Sequence, residues 1–141
     1  MVTMGYAMSV RSLRVFAAAA AALLATGCGT SADSKHARAA AERFATAVQA
    51  HDGATACAQL SPPLRQQLVK DEAGKRCEKA VLALTVHGRR ASAVRVYATS
   101  AEVDLAGGDT MFLDDTQQGW RLQAVGCHPH GDGPYECEEQ A

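Results

Sequence analysis

The sequence predicts an α+β domain in which N-terminal helices pack on one face of a curved antiparallel sheet. Three observations lead to this prediction. Apolar residues recur at helical spacing up to about residue 84, the period changes to two after residue 88, and short turns separate the alternating segments. Because parallel strands need long crossover connections, strands joined by tight turns form an antiparallel meander. Helices followed by such strands favour a layered α+β fold.

The helical half divides into four segments. Residues 36–50 place alanine, phenylalanine and valine on one face of an amphipathic helix, and residues 53–60 form a second, short helix. Ser61 is the expected N-cap of a third helix, whose first turn contains two prolines. After a break, residues 75–84 again show helical spacing.

The second half contains four predicted strands, connected by turns at residues 107–109 and 117–119. The side chains expected to face the helices are Val94, Val96, Val103, Leu105, Trp120, Leu122 and Ala124. Those expected to face away are Arg95, Glu102, Asp104, Arg121 and Gln123. Since general acid-base catalysis needs convergent ionisable groups, this arrangement leaves the predicted interior without an acid or base.

The first 27 residues have the three-part layout of an export signal. Arg11 and Arg14 precede an uncharged stretch at residues 15–26, and small residues follow directly before Cys28. A membrane-spanning helix needs about 20 consecutive apolar residues, and this run is much shorter. The segment therefore predicts export rather than a permanent membrane span.

The end of this leader, Leu-Ala-Thr-Gly-Cys at residues 24–28, resembles a bacterial lipobox, although leucine stands four residues before the cysteine instead of the usual three. The resemblance implies that residues 1–27 are a lipoprotein signal peptide and that the Cys28 sulfur carries a diacylglyceryl group. Residues 28–35 then form a short tether, and the protein is held on the outer face of the cell membrane. The alternative is an ordinary signal peptide that ends at Gly-Cys.

The number of cysteines also indicates an exported protein. The chain has five cysteines: Cys28, Cys57, Cys77, Cys127 and Cys137. Reserving the first for lipid leaves four, which in an exported protein predicts two disulfides with three possible connectivities. Local pairing closes short loops without crossing the core, so we predict Cys57 with Cys77 and Cys127 with Cys137.

A competing interpretation concerns the C-terminal cysteines. Cys127, His128, His130 and Cys137 lie close enough in the sequence to form a metal site. Thiols in an oxidising envelope tend to form disulfides, so we expect no metal and no other cofactor.

The composition excludes other classes of function. Fourteen basic and fifteen acidic residues give a formal charge of −1 with no run of like charge, so we expect no nucleic-acid partner. No phosphate-binding glycine loop, nucleophile elbow or His-Glu-x-x-His motif occurs in the sequence. His87 follows the last predicted helix and is interpreted as an ordinary polar loop residue.

Three short motifs carry a family resemblance. They are Ala-Cys-Ala-Gln-Leu-Ser-Pro at 56–62, Gly-Trp-Arg at 119–121, and Gly-Cys-His-Pro at 126–129 followed by Pro-Tyr-Glu-Cys at 134–137. With the order of elements, residues 39–139 resemble small actinobacterial envelope lipoproteins whose cone-shaped fold is similar to nuclear transport factor 2. The resemblance implies such a domain over residues 36–141. It implies no molecular role.

Two functions are compatible with the sequence. The first is a non-catalytic, lipid-anchored module that binds a small apolar ligand, another envelope protein or a cell-wall component. The second is a small lyase or isomerase that uses a pocket inside the cone. A purely structural envelope protein is a third interpretation. Because the ionisable groups are predicted to face outward, we expect a binding module rather than an enzyme.

Overall fold

The computed structural model describes residues 31–141, which form helices followed by one five-stranded antiparallel sheet. The helices are α1 (Ser31–Gln49), α2 (Gly53–Gln59), α3 (Pro62–Asp71) and α4 (Cys77–Ala80), followed by a 3₁₀ turn (Val81–Ala83). The strands are β1 (Ala91–Tyr97), β2 (Ser100–Leu105), β3 (Thr110–Thr116), β4 (Gly119–His128) and β5 (Glu136–Gln140). The α+β prediction is confirmed.

The first helix begins earlier than predicted. α1 starts at Ser31, with Asp33 in its first turn, where a carboxylate is favoured by the helix dipole. An Arg38–Glu42 pair one turn apart adds a weak contact on the surface, with 3.8 Å between Nη1 and Oε1. The segment predicted to be a short tether, residues 28–35, is thus helical from residue 31 onward. The predicted signal peptide and Cys28 lie outside the described residues.

The next two helices start where their capping residues predict. The Asp52 carboxylate accepts the Thr55 N–H at 3.1 Å, and the Ser61 hydroxyl accepts the Leu64 N–H at 3.2 Å. Each bond satisfies a backbone donor that the first turn of a helix otherwise leaves unpaired. The predicted fourth helix is shorter, since its second half tightens into the 3₁₀ turn.

The sheet is a meander in which each strand pairs with the next. Its fifth strand lies in the C-terminal segment that sequence periodicity left outside the sheet. β5 pairs with β4 in a register that places Cys137 opposite Cys127. The tail is therefore an integral edge strand, attached through both backbone hydrogen bonds and a covalent bond.

The helices cover one face of the sheet, and the core lies between the two layers. The largest apolar side chains that are fully buried are Phe44, Leu60, Leu64, Leu68, Val81, Val103, Met111, Leu113, Leu122 and Val125. Most of the predicted inward face is confirmed, since four of its members are buried: Val103, Leu105, Trp120 and Leu122. Val94 and Val96 are only partly buried because β1 is an edge strand, yet both pack against this core.

One part of the predicted inward face is wrong, because β4 contains a bulge. Leu113 lies opposite Leu122, but Phe112 lies opposite Ala124, so Gln123 is one residue too many for the ladder. The extra residue turns Ala124 to the outer face and places Val125 in the core. Gln123, predicted to face outward, instead accepts a hydrogen bond from the Ser61 hydroxyl at 2.9 Å.

A second irregularity in β4 needs glycine. Gly126 has a φ of +61°, and a Cβ there would lie 2.9 Å from the Cβ of Glu138. The left-handed backbone conformation and the close approach of β5 both disfavour a side chain at this position. The motif Gly-Cys at 126–127 thus serves the pairing of the last two strands.

Trp120 lies in the core with 5% of its surface exposed, as predicted. Replacing Trp120 by Ala should lower the free energy of unfolding by about 3 to 5 kcal/mol, because it leaves a cavity between the layers. Tyr97, which is 58% exposed on β1, is the matched control, and Tyr97→Ala should change stability by less than about 0.5 kcal/mol. Urea denaturation measures both. Equal effects of the two substitutions would contradict the burial of the indole.

Candidate functional site

The four cysteines of the described residues form the two predicted disulfides. Cys57–Cys77 joins α2 to α4 with 5.9 Å between the Cα atoms, and Cys127–Cys137 joins β4 to β5. The alternative metal site is wrong, since both of its thiols are consumed in the second disulfide. His130 pairs with Glu136 at 3.2 Å instead. Among residues 31–141, no cluster of His, Cys, Asp or Glu side chains is arranged to hold a metal ion.

The interior between the layers is filled by the apolar side chains of the core. The predicted outward residues Glu102, Asp104 and Arg121 do lie on the opposite face of the sheet, as the register of β1 to β4 requires. The chemistry available to a ligand therefore lies on the surface of the domain.

The outer face carries a network of charges centred on Arg95. Its guanidinium donates to Glu102 at 2.7 Å and to Asp104 at 2.6 Å, and the Tyr135 hydroxyl donates to Glu102 at 3.0 Å. The hydrogen bond from Arg95 lowers the pKa of Glu102, and the bond to Glu102 raises the pKa of Tyr135. Tyr135 also contacts Phe112 edge to face, with ring centroids 5.1 Å apart. These groups pair with one another through hydrogen bonds and attach the segment before β5 to the sheet. Their role is therefore structural.

A second polar cluster was not predicted. The Asp109 carboxylate, at the start of β3, has no exposed surface and accepts the backbone N–H of His87 at 2.7 Å. Its other oxygen lies 3.1 Å from Nδ1 of His87 and 3.3 Å from Nε2 of His128. Because a carboxylate offers only acceptors, Nδ1 of His87 carries the proton of its hydrogen bond to Asp109. Asp109 therefore joins three separate segments: the helix-to-sheet connection, the start of β3 and the end of β4.

His87 lies 22 residues before Asp109 and His128 lies 19 residues after it. Local sequence periodicity therefore cannot reveal the cluster. The glycines beside them are the available signal. A Cβ on Gly88 would lie 2.6 Å from the backbone of Gly107, and one on Gly107 would lie 2.2 Å from that of His87. Paired glycine-containing turns of this kind mark a close crossing of two backbones. His87 is thus held in place, and its interpretation as an ordinary loop residue is wrong.

Directly after His87 and Gly88, two arginines line a surface groove of about 650 Å³. The lining residues are Glu42 and Thr46 from α1, Arg89 and Arg90, and Ala106 from the turn after β2. Both arginines are exposed, and neither guanidinium has a hydrogen-bond or ion-pair partner in the described part of the chain. We take this groove, together with the Asp109 cluster beside it, as the candidate site.

An acidic cluster lies at the opposite edge of the sheet, where β5 meets α3. Burial raises the pKa of Glu139 to about 7, and a hydrogen bond with the Asp71 carboxyl adds to the effect. Two carboxyl groups can share a hydrogen bond only when one of them carries a proton. Glu138 and Glu72 add further negative charge.

No protein-family model, curated protein or solved structure matches this chain significantly. Between Ser31 and Ala141, no helix has the length and apolar character required to cross a membrane.

The raised pKa of Glu139 predicts a pH-dependent stability. The folded state binds the proton more tightly than the unfolded chain, whose glutamate has a pKa of 4.5. The contribution of this group is thus fully present below about pH 4.5 and is lost as the pH rises through about 7. Over that window, the unfolding free energy of the wild type should fall relative to that of Glu139→Gln. Denaturation from pH 4 to 8 measures the difference.

The control for this experiment is Glu78→Gln, at an exposed position on α4. Its stability should follow the wild type at every pH. If Glu139→Gln also followed the wild type across the window, Glu139 would not be the titrating group.

Proposed function

We propose that this chain is an exported, lipid-anchored protein of the cell envelope whose domain is a non-catalytic binding module. The domain is proposed to belong to the cone-shaped class of nuclear transport factor 2. Helices packed on a five-stranded antiparallel meander support that assignment, as do the motifs at residues 56–62 and 134–137, whose cysteines both form disulfides.

The observation that carries the proposal is the pairing of the cysteines. All four cysteines of the described residues are in disulfides, which form and persist in oxidising compartments. Cys28 is the one cysteine that remains in the chain, and it directly follows the leader. A thiol at this position, after an apolar stretch and small residues, is the residue that bacterial lipoprotein signals modify.

Binding is favoured over catalysis by where the polar groups lie. An isomerase or lyase needs an acid or base beside a sheltered substrate site, whereas the space between helices and sheet is packed with apolar side chains. The Arg95 network on the outer face is internally paired. The groove beside Arg89 and Arg90 offers unpaired cationic groups, which suit recognition of a ligand at the surface.

Membrane fractionation of the native host tests the anchor. The wild type should sediment with membranes and incorporate a labelled fatty acid. Cys28→Ser should lose the label and appear in the soluble or culture fraction, since one thiol is the attachment point for the chains that hold the protein. Thr30→Ala, two residues further on, is the matched control and should behave as the wild type. A Cys28→Ser variant that still sediments with membranes, or still carries the label, would contradict the proposal.

A further inference from the structure

We propose that the groove between α1 and Arg89-Arg90 binds an oxyanion, a phosphate or carboxylate group carried by a soluble ligand. The inference rests on the proposed binding function and names the ligand chemistry for it. The domain as a whole is not basic, since the chain has a formal charge of −1. Positive charge at this groove is therefore a local feature of the surface.

Two adjacent guanidinium groups are the main argument. Arg89 and Arg90 both line the same groove although they are neighbours in sequence, and neither is neutralised by a carboxylate in the described residues. The guanidinium group donates two parallel hydrogen bonds to a carboxylate or phosphate. By contrast, five of the six other arginines in residues 31–141 donate hydrogen bonds within the protein: Arg38, Arg43, Arg65, Arg95 and Arg121. The sixth, Arg76, has no such bond but does not line this groove. The two groove arginines thus retain their full donor capacity for a ligand.

The backbone that carries these arginines is held rigidly. The Gln49 side chain donates to the carbonyl groups of Val86 and Gly88 at 3.1 and 2.9 Å, and Asp109 accepts the His87 N–H. On the far side, the Ala106 N–H donates to the Arg90 carbonyl at 2.9 Å. A segment fixed at both ends loses little further backbone entropy on binding, so the remaining entropic cost is that of the two arginine side chains.

Glu42 is the one carboxylate in the wall of the groove. It accepts the Ala91 N–H at 2.9 Å, and the Arg38 guanidinium lies 3.8 Å away. Its charge is therefore partly compensated from the α1 side. With two arginines facing one compensated carboxylate, the groove retains a net attraction for anions.

The position of the groove along α1 favours a soluble ligand over a lipid headgroup. Glu42 and Thr46 lie 11 and 15 residues after Ser31 along α1, which places the groove about 16 to 22 Å along the helix from its first residue. The proposed anchor at Cys28 precedes that first residue. The groove thus lies well along the helix from the end at which the chain would leave the membrane.

Calorimetric titration of the full-length mature protein in neutral detergent tests the inference, with inorganic phosphate and citrate as probes at constant ionic strength. Replacing both groove arginines, Arg89→Gln with Arg90→Gln, should weaken binding of at least one probe by tenfold or more. The matched control is Arg76→Gln with Lys79→Gln. It removes the same charge from exposed positions around α4 and should change affinity by less than twofold. Equal melting temperatures of the variants establish that each is folded.

Three outcomes would overturn the inference: no binding of either probe by the wild type, equal weakening by both double variants, or no weakening by the groove variant. A separate arm measures binding to phosphatidylglycerol vesicles against phosphatidylcholine vesicles. If the groove variant lost vesicle binding but kept phosphate and citrate affinity, the ligand would be a lipid headgroup and the soluble assignment would be wrong. Membrane fractionation of Cys28→Ser tests the lipid anchor separately from these titrations. Failure of the proposed anchor can therefore be distinguished from failure of the proposed anion site.

Discussion

The hydrogen bonds between the buried carboxylate of Asp109 and His87 fix the connection from the helices to the sheet, and the surface beside this connection depends on them. A fully buried charge is costly unless hydrogen bonds replace its hydration. Two hydrogen bonds reach this carboxylate, from the backbone N–H and the imidazole of His87, and Nε2 of His128 lies 3.3 Å away. A hydrogen bond to a charged group contributes about 1.5 to 3 kcal/mol, and both bonds come from His87. Together they hold the chain where it leaves the helical layer and enters the sheet.

This contact also explains the glycines around it. Asp109 can reach the His87 N–H only if the connection passes directly over the β2–β3 turn, and Gly88 and Gly107 provide the space for that crossing. Arg89 and Arg90 then emerge at a defined place beside α1. Local geometry, packing and a candidate binding surface are thus linked through one side chain.

The two disulfides stabilise the domain at its other weak points. Cys57–Cys77 ties α2 to the four-residue α4, and Cys127–Cys137 holds a five-residue edge strand to the sheet. Short elements such as these bury little apolar surface of their own, so a constraint on the unfolded chain contributes a large share of their stability. On the outer face, Tyr135 continues this attachment through Phe112 and Glu102.

Features encoded in short stretches of sequence could be predicted. Ser61 caps a helix because its hydroxyl meets an N–H three residues later, and both disulfides follow from local pairing of the cysteines. Features that need distant partners could not. The bulge at Gln123 depends on the register with β3 and on the hydroxyl of Ser61, 62 residues away. From the sequence, Asp109 is indistinguishable from an ordinary turn residue that follows two glycines. Only the structure shows that His87 and His128 lie beside it.

Amide hydrogen exchange of the full-length chain tests the role of Asp109 most directly. In Asp109→Ala, the His87 amide loses its acceptor, and exchange of this amide, within the segment at residues 85–90, should accelerate at least tenfold relative to the wild type. Asp114→Ala, which removes a carboxylate from an outer position of β3, is the control and should leave exchange in that segment unchanged. Unchanged protection of His87 in Asp109→Ala would contradict the claim that this carboxylate holds the connection in place.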